Sequence, residues 1–189
     1  MTTSDLIEIT DEHGQPTGER MTLDQANDQG RWHHTAHIVL YTSDGQILVQ
    51  KRASGIVRYP SLIDITVGGV VYAEETPEMA IVRRVSEELG VQIEPENLHK
   101  LGTTKYNHQV KRYDKHVRVI LHNYIAELPD ANVSLRYMQN EVSWAGFISL
   151  KQAEQFITNG KLDHIGRLIP RPKYYKLFLD AITKKLHDS

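Results

Sequence analysis

The chain has 189 residues, with 22 Lys plus Arg, 24 Asp plus Glu and no cysteine. The missing cysteine excludes a disulfide framework, a thiolate zinc site, an iron–sulfur cluster and a cysteine nucleophile. A formal net charge of −2 speaks against bulk electrostatic capture of nucleic acid, and 40% hydrophobic against 24% charged residues is an ordinary soluble globular balance. This length suits one domain with appendages. The first twelve residues, MTTSDLIEITDE, lack the basic and apolar regions of a secretory signal. No apolar run approaches the ~20 residues of a membrane helix. The expectation is a cytoplasmic protein with no membrane partner.

Residues 6–22 predict a small hairpin, LIEIT and RMT around the Gly- and Pro-bearing DEHGQPTGE. Residues 23–31 read as a loop or short helix. HTAHIVLYT and QILVQKR then flank Ser43-Asp44-Gly45, a strong hairpin signal. SLIDITVGGVVY is β-branched and apolar, one or two strands meeting at Gly68-Gly69. The period then changes. Thr76 suits an N-cap, Pro77 the first helical position and Gly90 the C′ position, so PEMAIVRRVSEEL predicts a helix. Strands are expected near 98–106, 116–126 and 142–148, and helices near 150–159 and 172–187. Strands interleaved with a few helices imply a mixed sheet flanked by helices. His33, His34 and His37 invite a metal reading, but a strand start with one or two solvent-facing imidazoles accounts for them as well.

On the helix predicted over PEMAIVRRVSEEL, with Ile81 at zero and about 100° per residue, Ile81, Val82, Val85 and Leu89 form the expected core stripe. Arg83, Arg84, Glu87 and Glu88 are expected on the opposite, charged arc. Two carboxylates at a helix C-terminus oppose the helix dipole. A hard divalent cation would offset that, and so would Arg83 and Arg84 at i+4 and i+3 spacing. The wider pattern is Gly69-x5-Glu75-x7-Arg83-Arg84-Val85-x-Glu87-Glu88-x-Gly90-Val91. It resembles the box of the Nudix hydrolase superfamily, G-x5-E-x7-R-E-U-x-E-E-x-G-U with U a bulky aliphatic. Eight of nine constrained positions match.

The resemblance implies an α/β (α+β) Nudix fold: an α/β/α sandwich with a mixed sheet and an N-terminal β-hairpin. It implies one domain over 1–189, with a hairpin extension at 1–31, the box at 69–91 and a C-terminal helix within 160–189. It also implies hydrolysis of a diphosphate bond in a nucleotide-like small molecule, with Mg²⁺ or Mn²⁺. Glu87 and Glu88 would hold the metal, and one would assist deprotonation of water. Gly69 would add a backbone carbonyl, Glu75 and Arg83 would pair to brace the loop against the helix, and Gly90 would end the helix. The departure is Arg84, where the family has a Glu that is commonly a metal ligand. Arg84 is therefore expected to contact substrate phosphate, as are Lys51 and Arg52 at a strand end. Glu141, before a late strand, is a candidate accessory metal carboxylate.

Beyond the box, ITDEHGQPTGER, RWHHTAHIVLYTSDGQILVQKRA and YPSLIDITVGGVV resemble the isopentenyl-diphosphate-isomerase-like branch. Those isomerases protonate an alkene with a cysteine directly before the box glycine, followed by a metal-binding histidine. Here these positions are Gly68 and Val70, and Asn27 stands where another metal histidine is expected, while His34 matches one. A hydrolase of this branch is therefore expected. An isomerase, or a non-catalytic diphosphate-binding module, is the alternative. Trp32 is read as a base-stacking group or a partly buried anchor. The segment 105–118, with five Lys or Arg against one Asp, reads as an anion-facing hairpin or a solvated connection. The C-terminal helix is expected to pack through Tyr175, Leu179 and Ile182, leaving room for a partner or a homodimer. Nucleic acid is not an expected ligand.

Overall fold

The computed structural model of the chain describes residues 6–110 and 115–188. In chain order the elements are β1 (Ile7–Thr10), β2 (Pro16–Met21), α1 (Leu23–Asp28), β3 (Trp32–Thr42), β4 (Gln46–Arg52), β5 (Ile63–Asp64) and β6 (Val67–Val70). Next come α2 (Pro77–Leu89), a 3₁₀ turn at Pro95–Asn97, β7 (His99–Val110), β8 (Lys115–Leu128) and β9 (Val142–Ser149). The chain closes with α3 (Leu150–Asn159), β10 (Lys161–Leu162), β11 (Gly166–Arg167) and α4 (Pro172–Asp188). Nine strands belong to one sheet and β10–β11 make a separate hairpin, so the fold is mixed α/β. Contacts group the chain into two compact units, Met1–His37 with Gly68–Ile81 and Gly102–Asn123, and Ile38–Val67 with Val82–Leu101 and Tyr124–Ser189.

In the first unit β1 and β2 form the expected antiparallel hairpin, Ile7 opposite Met21 and Glu8 opposite Arg20. The Asp11 carboxylate closes its turn by accepting from the His13 and Gln15 N–H groups. Helix α1 is short. Thr22 and Gln25 cap it reciprocally, each side chain taking a backbone N–H from the other residue. Ile7, Ile9, Met21 and Ala26 bury their side chains together, with Val70 and Tyr72 against them. The three histidines do open a strand, β3: His33 is 1% exposed and sits opposite Ile9 of β1, while His34 and His37 are half-buried. Trp32 is half-buried. Among the described residues no group of three or more His, Cys, Asp or Glu is arranged to hold a metal, so the histidine cluster makes no such site. Residues 111–114 of the basic segment 105–118 lie outside the described residues. Of its described members, Lys115 pairs with Asp24 and Asp28, and Arg118 donates to the Gly30 carbonyl.

In the second unit β4 lies between β3, β5 and β9 (Tyr41↔Ile47, Lys51↔Ile63, Leu48↔Phe147). Side chains alternate across a strand. Ile47 and Val49 pack on one face with Phe156 of α3 and Tyr175, Phe178, Leu179 and Ile182 of α4. Gln50, next along β4, turns to the other face and reaches Glu88 of α2. That places helices on both sides of β4. Tyr175, as expected, is a core residue of the C-terminal helix, and its hydroxyl donates to Asp64. Strands β5 and β6 are the two expected within SLIDITVGGVVY, whereas the two-residue strands β10 and β11 have no counterpart in the sequence reading; each is too short to display a period.

Candidate active site

Helix α2 begins as its sequence predicts. Thr76 Oγ1 accepts the Met79 N–H and the Thr76 carbonyl accepts the Ala80 N–H. It ends at Gly90, whose φ of +68° lies in the left-handed region and whose N–H donates to the Ser86 carbonyl. A Cβ at Gly90 would come within 2.9 Å of Arg136 Cβ and O. That close approach matters to the site. The Arg136 and Met138 N–H groups donate to the Leu89 and Glu88 carbonyls, satisfying the helix end. The same segment then presents Glu141, whose N–H donates to Met138 O and whose carbonyl accepts from Ala53.

Glu88 departs from the expected charged arc. It stands seven residues after Ile81, about 700° around the helix, which returns it to within about 20° of Ile81 on the core stripe. It is 5% exposed, whereas Val82, expected in the core, is only half-buried. Its carboxylate is held from two sides. Gln50 Nε2 donates to Oε2 at 3.0 Å, and Arg84 Nη2 donates to Oε1 at 2.5 Å. The same Arg84 Nη2 donates to Glu141 Oε2 at 2.5 Å, and Arg84 Nη1 to Glu87 Oε2 at 2.9 Å. Arg83 Nη1 also reaches Glu87 Oε2, at 3.2 Å. The two arginines thus neutralise the helix carboxylates at the expected spacing, and Arg84 extends that role to Glu141.

Burial pushes the Glu88 carboxyl above the ordinary range, opposed by the Arg84 charge and the Gln50 hydrogen bond. Burial would lower Arg84, but Glu88 and Glu141 outweigh it and hold the guanidinium firmly protonated. Gln50 had no part in the sequence reading. Its signal was a polar residue inside the apolar run of β4. It is 2% exposed, and Nε2 donates to the Thr66 carbonyl as well as to Glu88. Two buried atoms here have no hydrogen-bond partner among the described residues: Gln50 Oε1 and Arg84 Nε.

Lys51 lies on the α3 and α4 face of β4, opposite Trp144, and lines a cavity of about 510 Å³ with Ser143, Gln152 and His164. The Lys51 side chain is therefore on the face away from Gln50 and Glu88. Arg52 Nε donates to the Arg58 carbonyl. Gly69 is in β6 and Glu75 in the turn before α2, both in the first unit; the Glu75 carboxylate accepts the Tyr72 N–H at 3.1 Å. Gly68 has a packing reason of its own. A Cβ there would stand 2.3 Å from His37 Cδ2.

A family model, the NUDIX domain, matches residues 31–167. The chain belongs to the NUDIX family. This NUDIX chain is 37% identical over 103 residues to an isopentenyl-diphosphate Delta-isomerase of Streptomyces coelicolor, covering 54% of the chain and 51% of that protein. It thus spans about half the length of the isomerase it matches. An uncharacterized Nudix hydrolase of Listeria monocytogenes is 24% identical over 155 residues, covering 82% and 85%. Among solved structures, the NUDIX domain of Shewanella oneidensis NrtR, complexed with ADP ribose, superposes with a TM-score of 0.58 at 17% identity, covering 80% and 86%. That likeness establishes the fold.

Family membership implies a divalent cation. Closed on Arg84, the described carboxylates form no ready three-ligand group, but their chemistry suits such a cation. Glu88 and Glu141 offer hard carboxylate oxygens on either side of one positive nitrogen, and the unpartnered Gln50 Oε1 belongs to the same cluster. Arg84 Nη2 lies between the two carboxylates.

Proposed function

We propose that this chain hydrolyses a diphosphate bond in a nucleotide-like substrate, with Mg²⁺ or Mn²⁺. The observation that carries the reading is the buried Glu88, grouped with Glu87 and Glu141 at the end of the box helix. Glu88, Glu141 and Glu87 would hold the metal, with the Gly69 carbonyl a further ligand by resemblance. When bound, the metal withdraws charge from phosphoryl oxygens and acidifies a bound water. In the reaction a water oxygen attacks one phosphorus. The bridging P–O bond breaks and its electron pair leaves with the departing phosphate. The water proton passes to Glu87, whose side chain is 37% exposed against 7% for Glu88. Gln50 keeps the Glu88 carboxylate oriented, and Arg84 and Arg52 supply positive charge to the phosphates.

The kinship with isomerases favours a second reading, alkene isomerisation. Position 68 weighs against it. The acid cysteine of those enzymes would stand there, where this chain has glycine, and any Cβ would force the His37 ring to shift. Incubation with Mg²⁺ and panels of nucleoside di- and triphosphates, nucleotide sugars, dinucleotides and isopentenyl diphosphate separates the readings. Phosphate or nucleotide release that disappears in Glu88→Gln is expected. Isomerised alkene would replace the proposal with the second reading, and tight binding without turnover would make the chain a binding module.

A further inference from the structure

Glu88 and Glu141 come from distant stretches of chain yet meet on one nitrogen, Arg84 Nη2, at 2.5 Å each. Glu87 meets Nη1 of the same group. One guanidinium therefore serves three carboxylates, and Arg83 also reaches Glu87. Burying carboxylates without a counter-charge costs several kcal/mol each, so the cluster stays ionised in the fold only with a cation in this place. The arrangement is nonetheless incomplete. Gln50 Oε1 is a buried acceptor without a donor, and Arg84 Nε is a buried donor without an acceptor. A guanidinium cannot complete both while it bridges Glu88 and Glu141. A divalent cation or its water would satisfy the amide oxygen, and a phosphate oxygen would satisfy Nε–H.

We infer that Arg84 is the resident cation of this site. It fills the place of the divalent cation between Glu88 and Glu141, so metal enters by displacing it, and the released guanidinium turns to the diphosphate. The inference rests on the proposed hydrolase reading. It makes metal and diphosphate binding mutually reinforcing through one side chain, and such coupling is reciprocal.

The test is Mn²⁺ binding to the intact chain, followed by electron paramagnetic resonance and calorimetry, with methylene diphosphonate as the diphosphate probe. Arg84→Gln removes the competing charge and should bind Mn²⁺ on the order of tenfold more tightly than wild type. Arg84→Lys keeps a cation and should stay close to wild type. The probe should tighten Mn²⁺ binding more in wild type than in Arg84→Gln. Glu88→Gln should abolish the tight Mn²⁺ site in both backgrounds. In wild type alone, Mg²⁺ titration should shift the Arg84 Nε–H resonance and speed its solvent exchange, a readout that needs no variant to fold. Glu88-dependent Mn²⁺ binding of equal strength in wild type and Arg84→Gln, with an unmoved Nε–H resonance, overturns the inference and leaves the hydrolase reading standing. No Glu88-dependent Mn²⁺ binding in either protein overturns both.

Discussion

Acid should unfold this protein early, through one imidazole far from the carboxylate cluster in sequence. His33 is 1% exposed, and its Nδ1–H donates to the Arg31 carbonyl at 3.2 Å. Burial pushes its pKa down to about 4 against the ordinary 6.5, despite that hydrogen bond, and nearby His34 adds to the depression. Above pH 6.5 the folded and unfolded chains both hold it neutral. As pH falls below 6.5 the unfolded chain takes a proton that the folded chain refuses, so stability falls until about pH 4. The 2.5-unit difference is worth about 3 kcal/mol in full, and about 2 kcal/mol by pH 5. His33→Asn keeps a donor for the Arg31 carbonyl and removes the titration. Urea unfolding followed by circular dichroism at pH 7, 6 and 5 reads the difference. The stability gap between wild type and His33→Asn should move by about 2 kcal/mol between pH 7 and pH 5, in favour of the variant. Parallel pH curves for the two proteins would refute a buried neutral His33.

Gly68→Ala forces a Cβ to within 2.3 Å of the His37 ring, and should cost about 1–3 kcal/mol in thermal or urea unfolding; an unchanged midpoint would mean that His37 moves freely. Gln50→Leu removes both donors of a buried amide, so turnover should fall about 10- to 100-fold while the fold persists. Equal kcat/KM in wild type and Gln50→Leu would dismiss Gln50 as the residue that positions Glu88.

Local signals carried helix α2, because cap, first-turn proline and terminal glycine act within a few residues. Thr22 and Gln25 form the same kind of local box, but a six-residue helix shows too little of its period to be told from a loop. The burial of Glu88 was within reach of the helical angle alone, since seven residues is nearly two full turns. What hid it was its charge: a carboxylate on the core stripe is exceptional unless it is paired. Its partners depend on tertiary structure. Gln50 reaches Glu88 across 38 positions, and Arg84 reaches Glu141 across 57. No periodicity within one segment encodes such meetings. Lys51 shows the same limit from the other side, because one step along β4 separates the face of Glu88 from the opposite one.

The near-neutral total charge conceals this cluster. Three carboxylates and two guanidiniums lie within one helix and one loop, and two of the five side chains, Glu88 and Arg84, are mostly withdrawn from water. Buried ion pairs add little to stability, since desolvation consumes most of the Coulomb gain, and apolar residues of similar volume often do as well or better. Stability alone therefore gives no reason to place Glu88 on the core stripe of α2, where Ile81, Val85 and Leu89 already pack. The arrangement becomes intelligible when the carboxylates must be held in a fixed geometry, partly shielded from water, ready for a cation stronger than a guanidinium. On the proposed hydrolase reading, Gln50, Arg84 and the Glu141 loop share one role: they hold that charge in the folded chain for a metal and a diphosphate.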